Sequence, residues 1–458
     1  MKPPYRLVLS GIACLVAAGI AAAPSVFPAG VTIYQPDQTW NGYTVLSLLR
    51  EPAVVVIDMN GRVVKRWDGF SNSAGGPARV LPNGEVIAPV GARQGRQESL
   101  RLLQQDFQGK QLWSLDGEVE IDLPDGSKTR SLRQHHDWQR ADFPAGYYSP
   151  EFRPSSTGGV TLVLAHADRN VPGLTDLPLQ DDHLIEYGPD GKRRWEWHAS
   201  DHVEELGLSA AARAAIKGGA GAGAGPAAAA APAANRVFDW LHINSATYLG
   251  PNRWFDAGDQ RFAPDHVMIS SRQASLLAIV ARDGRVVWRM GPDFRESPAL
   301  ARIGQIIGQH HAHLIPKGLP GAGNLLVFDN GGSSGYGFDT PIARNGYGGL
   351  ARASSRVLEI DPVKLETVWS YTGDGFFSTN ISGAQRLPNG NTLITEGAGG
   401  RVFEVTPQRR IVWEYMSATA AGANQPVYRA YRLPYDWIPQ LAKPAEQAVA
   451  PPAGYRVP

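Results

Sequence analysis

The chain of 458 residues has a single cysteine, Cys14, and it falls within an N-terminal apolar run. The body beyond that run therefore has no disulfide, no thiol nucleophile and no cysteine-based metal site. An excess of one charge is missing too: 44 Lys and Arg stand against 43 Asp and Glu. Without a basic excess nothing points to a nucleic-acid partner, and without an acidic block nothing points to a disordered tail. No glycine-rich loop of the phosphate-cradling kind occurs, and no histidine follows His313.

What is present begins at the N-terminus. Lys2 and Arg6 precede an apolar run from Leu7 to Ala23, the pattern of a secretory leader. Residues 1–25 are expected to be a signal peptide, cut after Ser25 rather than before Pro24, or an uncleaved anchor tethering the chain through residues 7–23. Gly11 stands where a lipidation motif requires Leu. In either case the body is expected outside the cytoplasm, as a periplasmic or extracytoplasmic protein.

With 51 Gly and 35 Pro the body is rich in turn residues. Six segments repeat one design, a strand, a tight turn and a second strand ending in Trp. They end at Trp67, Trp113, Trp195, Trp288, Trp369 and Trp413. Period-2 alternation around such turns reads as a β-hairpin. A second hairpin type alternates with the first, as in RVLPNGEVIAP from Arg79 and QRLPNGNTLITEG from Gln385. Two hairpins per unit predict four-stranded blades. Six units predict an all-β, six-bladed β-propeller over 31–438, followed by a C-terminal tail over 439–458. VYRAYRLPYDW near the C-terminus is expected to complete the first blade and close the ring. A β-sandwich, or two small all-β domains, is the alternative architecture. Two insertions interrupt the pattern: a Gly/Ala-rich run over 217–235, read as a flexible linker behind a short SAAARAAI helix, and a Gly-rich segment over 329–355. Insertions in a propeller emerge at its rims, where they can cover a site.

All 11 histidines lie between His135 and His313. When the first hairpins are aligned on their turns, with RQHHDW and DWLHINS setting the two units whose turns are degenerate, one position at the entry to the first strand is expected to read Gly76, His136, His242, His310, Ser382 around the ring. The first strand of a blade is the innermost, so three imidazoles are expected to meet at one mouth of the central channel. His311 and His313 flank Ala312 and would share a face. His135 stands beside His136. His166, His183, His198, His202 and His266 read more simply as structural. Neutral imidazole can be a nucleophile, a general base or a metal ligand. With Asn244, Arg272 and Asn330 close in sequence, the cluster has candidates for a nucleophile, a proton donor and groups that bind developing negative charge.

At these residues the chain resembles a known family. RQHHDW, DWLHINS followed by ISSR, GQHHAH followed by LLVFDNGG, AQRLPNGNTLI and the closing VYRAYR are similar to the bacterial arylsulfate sulfotransferases. The likeness runs from about Val31 to Trp437. The resemblance implies a periplasmic six-bladed propeller with no cofactor. Such an enzyme moves a sulfuryl group from an aryl sulfate to a phenol by a ping-pong route through a histidine, without a nucleotide sulfate donor. It implies roles for His242, His310, Asp329 and Asn330, which match the family's motifs. The chain is a divergent member. Gly332, Ser333, Ser334 and Gly335 stand where the family often has an Arg, for which Arg356 is the candidate substitute. The family's sulfated histidine lies beyond the Asp-Asn-Gly segment, where this chain has none, so His311 or His313 is the expected stand-in. Two other readings remain: a metal-dependent lyase or oxygenase using His136, His242, His310 and His313, and a non-catalytic binding propeller.

Overall fold

The computed structural model describes residues 29–71, 76–93, 96–123, 126–156, 158–219, 238–336, 347–419 and 421–451. The expected leader over 1–25 and all but the first three residues of the run over 217–235 lie outside them. The hairpins form where the sequence pattern placed them. In the first, Asp58 Oδ1 accepts from the amides of Asn60 and Arg62, both at 2.9 Å, and Gly61 takes φ +79°. A carboxylate folded back on its own turn and a left-handed glycine make such tips tight. Behind the Gly/Ala-rich run, Ala210–Lys217 is a helix capped by Ser209, whose side chain accepts from the Ala212 amide.

The chain is all-β and propeller-like. Four separate sheets each hold one Trp hairpin. The Trp67 sheet runs Val427–Leu433, Tyr43–Leu48, Ala53–Ile57, Val63–Asp68. The Trp288 sheet runs Ile243–Tyr248, Val267–Ser271, Leu276–Val280, Val286–Met290. The Trp369 sheet runs His310–Leu314, Leu325–Asp329, Arg356–Asp361, Glu366–Tyr371. The Trp413 sheet runs Gly383–Arg386, Thr392–Glu396, Arg401–Val405, Ile411–Met416, with Gly30–Tyr34 added outside. The Trp113 and Trp195 hairpins share one nine-stranded sheet, whose two groups of strands join at a single pair, Gln134↔Ser99.

The first strands are buried throughout, whereas several fourth strands alternate in exposure. Side chains stitch neighbouring first strands together. The Tyr248 amide donates to Gln139 Oε1 at 3.1 Å, Asn244 Nδ2 to Gln309 O at 2.7 Å, and Gln385 Nε2 to Arg432 O at 2.9 Å. On the outer side the repeated Trp does equivalent work. Its indole N–H donates to a backbone carbonyl in the tip of the next Trp hairpin: Trp67 to Asp106, Trp195 to Arg282, Trp288 to Pro362, Trp369 to Pro407 and Trp413 to Met59, all at 2.9–3.0 Å. The last of these returns from the end of the chain to its beginning.

Both chain ends take part in closure. As expected, VYRAYRL supplies the inner strand beside Tyr43–Leu48. The N-terminal strand Gly30–Tyr34 was not foreseen; it pairs with Ile411–Met416, and Tyr34 exchanges two backbone hydrogen bonds with Val449 of the C-terminal tail. At the centre, Asp137 accepts from Arg79 at 3.0 Å, Arg429 at 3.1 Å and the Ala246 amide at 3.3 Å, and all three side chains are buried. Breaking such a buried pair from one side costs about 3–5 kcal/mol. Asp137→Ala is therefore expected to lower stability by about that much, read as a shift of the urea midpoint. Trp413→Phe, which leaves the Met59 carbonyl without its donor in a buried seam, is expected to cost about 1–3 kcal/mol. Trp369→Phe, in a half-exposed seam, should cost less.

Candidate functional site

The first strands that carry histidines are irregular. Their ladders skip between Gln134 and Trp138, between Ile243 and Ser245, and between His310 and His313. A bulge breaks alternation and re-aims side chains. The aligned position has left-handed backbone at Gly76 (φ +95°), His136 (+54°), His242 (+50°) and Ser382 (+85°). In the Trp369 unit that conformation falls on His311 (+53°), one residue after His310. Left-handed backbone is costly for a side chain with a Cβ, so three strained histidines on neighbouring strands mark this position.

The structure brings His136 and His242 together, with ring centroids 4.5 Å apart and edge to face. His242 Nδ1 lies 2.5 Å from Asp239 Oδ2, so Nδ1 carries the proton and Nε2 is left with its lone pair. Burial would raise Asp239, but His242, with help from His166 and His135, holds its carboxyl below the usual range. His310 Nδ1 faces two acceptors, Asn330 Oδ1 at 2.8 Å and Gly308 O at 3.0 Å, which fixes the same tautomer. Asn330 is anchored by its amide to Ser378 O and Ile381 O. Burial and then Arg272 hold His310 well below the ordinary histidine range, against the Asn330 hydrogen bond. His136 is likewise held well down, first by burial and then by His242.

Among the other expected site residues, Arg272 is only partly buried, with one guanidinium nitrogen 3.3 Å from Ser333 O. Gly335, in the described part of the 329–355 insertion, donates its amide to Gln273 O, next to Arg272 in the chain. Asn244 is fully buried and its Oδ1 has no partner. Arg356 does not join the histidines. Its donors go to Asp329 and to the carbonyls of Ile303, Gly304 and Gln305, while Asp329 also holds Arg352 and the Ile307 amide. Asp329 and Arg356 thus form a clamp behind the site. His311 and His313 share a face, with ring centroids 4.4 Å apart. His313 has both nitrogens engaged, by Tyr147 and by His311 O, and burial drives it down to about 3. Burial and then Arg429 depress His311.

A second row lies behind His136. His135 Nδ1 is 2.8 Å from His136 Nδ1, and its Nε2 is 3.3 Å from Asp182 Oδ1. His135 stacks on His166, with centroids 3.5 Å apart and planes 11° apart. His135, His166 and Asp182 offer ligand atoms within 4.8 Å of one another, as do His183, Glu196 and His198. In both groups the two imidazoles lie face to face. Their in-plane lone pairs run nearly parallel instead of meeting at one point, a poor fit to a shared cation. The ligand set expected for the metal reading, His136 with His242, His310 and His313, makes no such group among the described residues.

Sequence reasoning missed Asp239, Asp182, Asp137 and Arg429. Asp239 had a local signal, since it precedes His242 by three residues inside DWLHINS. Arg429 sat in a segment read only as ring closure. The buried neutral histidines set a pH dependence. His135 is driven down to about 4 by burial, and His136, His166, His310 and His311 lie well below their ordinary value for the same first cause. Each binds a proton less readily folded than unfolded. The unfolded chain therefore takes up more protons below pH about 6.5, and stability falls as pH drops through that value. The expected result is a melting temperature that these groups leave level between pH 8 and 7 but that declines steeply from pH 6.5 to 5. An equal slope in both windows would contradict it.

Comparison with known proteins adds the family. The chain resembles, at low identity, a protein of unknown function from Bacteroides caccae (9% identity, 85% of this chain and 98% of that one, TM-score 0.43). It likewise resembles a virginiamycin B lyase from Staphylococcus aureus (10%, 86% and 87%, TM-score 0.35). A streptogramin B lyase is similar at 12% identity, with 87% and 85% covered and a TM-score of 0.35. At these TM-scores none of the three bears on function. Comparison with curated protein sequences gives no match. The profile of the arylsulfotransferase (ASST) family matches residues 159–418, more than half of the chain and a stretch that includes His166, Asp182, Asp239, His242 and His310. The chain belongs to the arylsulfotransferase family.

Proposed function

We propose that this protein is an arylsulfate sulfotransferase, a six-bladed propeller exported from the cytoplasm, that moves a sulfuryl group from an aryl sulfate to a phenol through His242. The observation that carries the choice of His242 is its contact with Asp239. The carboxylate holds the Nδ1 proton, leaves Nε2 as the nucleophilic atom, and is placed to stabilise the positive charge the ring acquires. His310 offers the same tautomer but has a neutral amide behind it and Arg272 acting against it. Support for the blade count comes from the six Trp hairpins and from the indole contact that returns to Met59. Lys2, Arg6 and the apolar run after them support export.

Nε2 of His242 attacks sulfur, the bond from sulfur to the aryl oxygen breaks, and the phenolate takes a proton from His136. A phenol acceptor then returns its proton to His136 while its oxygen attacks sulfur and the N–S bond breaks. Sulfuryl transfer resembles phosphoryl transfer, with a loose transition state and charge on the departing oxygen. Arg272 is the donor available to the sulfonate oxygens.

A brief pulse of 4-nitrophenyl sulfate is expected to add one sulfuryl mass to the peptide bearing His242, and a phenol chase to remove it. His242→Ala should abolish both, and Asp239→Asn should lower kcat/KM about a hundredfold or more. Absence of turnover with every aryl sulfate would refute the reading, and a label on another histidine would move the nucleophile.

A further inference from the structure

The transfer just described needs a proton at the leaving phenolate, yet His136 is buried and disfavours positive charge. An imidazole that must stay neutral can still deliver a proton, provided one arrives at one nitrogen as another leaves from the opposite one. The groups behind His136 are arranged for this. His136 Nδ1 faces His135 Nδ1 at 2.8 Å, so one of the two nitrogens donates and the other accepts. His135 Nε2 is fully buried, lies 3.3 Å from Asp182 Oδ1 and makes no well-aligned hydrogen bond among the described residues, while the ring also faces the Ala165 backbone.

We propose that His136, His135 and Asp182 form a proton relay that serves the leaving and entering phenol oxygens. In the resting state Asp182 carries a proton and offers it to His135 Nε2. His135 Nδ1–H donates to His136 Nδ1, and His136 Nε2–H faces the aryl oxygen. When the S–O bond breaks, the His136 Nε2 proton goes to the phenolate. The His135 Nδ1 proton moves to His136, and the Asp182 proton moves to His135. Both imidazoles end neutral and Asp182 ends as the carboxylate. The acceptor phenol drives the same moves in reverse, so no co-reactant is needed. His135 and Asp182 are positioning residues, because only His136 meets the substrate.

The surroundings agree with that resting state. Burial, and next to it Asp239, push Asp182 well above the usual carboxylate range, against the Ile243 amide and His242; Asp181 adds to the rise. His135 is faced by Asp239, Glu98 and Arg133, and by the flat of His166. Burial keeps both members of that stack neutral. Arg133 itself is held by Glu98 and Asp168, so its charge is largely answered locally.

The relay rests on the sulfotransferase reading, and two measurements keep them apart. The first uses leaving groups of different basicity. An unsubstituted phenolate needs the proton far more than a nitrophenolate does. Asp182→Asn keeps an oxygen for the Ile243 amide but cannot supply the proton, and His135→Gln interrupts the path. Both variants are expected to lose at least tenfold more kcat/KM with phenyl sulfate than with 4-nitrophenyl sulfate. Equal losses with both substrates would overturn the relay and leave the transferase reading standing. The second measurement, nitrogen NMR of 15N-histidine-labelled wild-type protein, does not depend on turnover or on a variant that folds. It should find His136 protonated at Nε2 and His135 at Nδ1 near neutral pH. A proton on His136 Nδ1 would overturn the relay whatever the assay says. A wild-type protein with the expected tautomers and no action on any aryl sulfate would instead sink the sulfotransferase reading.

Discussion

Asp137 lies wholly buried between the guanidinium groups of Arg79 and Arg429, and it also accepts the Ala246 amide. These four groups come from first strands, or the approach to them, in four different units. An ionised carboxylate away from water is tolerable only with such partners, so the innermost strands are held to one mutual arrangement. The histidines inherit that arrangement. His135 and His136 immediately precede Asp137 in the chain, Asn244 accepts Arg429 through its carbonyl, and Tyr428 donates to the carbonyl of His136. The triad carries a net positive charge, and after burial it is Arg429 that most depresses His311. The centre of the ring therefore fixes where the imidazoles sit and also biases them against taking up protons.

Much of the architecture was legible because its signals are local. A turn with Asp or Asn at its tip, an alternating strand and a terminal Trp read the same way in every copy, and in five of six copies the Trp contacts the next hairpin as a repeated design requires. The strand Gly30–Tyr34 was not legible, since nothing within five residues says that a partner waits at the far end of the chain. The candidate site divides along the same line. His136 and His242 could be placed from the segments RQHHDW and DWLHINS, although the turns after them are degenerate. The slip at His310 and His311 could not, because a bulge is a property of two strands. Arg356 looked like a spare cation until Asp329 and three carbonyls were seen around it. The role of Asp182 depends on contacts with segments dozens of residues away, whereas Asp239 acts on His242 three residues further on.

The arrangement also separates two kinds of histidine that composition cannot tell apart. His202 and His266 meet an ordinary carboxylate or carbonyl partner, Glu205 and Arg261 O, near the surface. His136, His242 and His310 each have Nδ1 tied to a group of this chain, which directs the other nitrogen of the ring before any substrate arrives. Preorganisation of this kind places the cost in folding and not in turnover. It is consistent with left-handed backbone at His136 and His242, which the surrounding strands must enforce.

Closure by Val427–Leu433 has a consequence in time. Translation is vectorial, and the strand that delivers Tyr428 and Arg429 emerges after every one of the histidines. Until it inserts, Asp137 has one guanidinium instead of two and His136 lacks the tyrosine behind its carbonyl. The histidines can exist on a nascent chain, but their arrangement cannot. A chain interrupted between His313 and Val427 has these histidines without their arrangement, so insertion of this strand is itself the step that arms them.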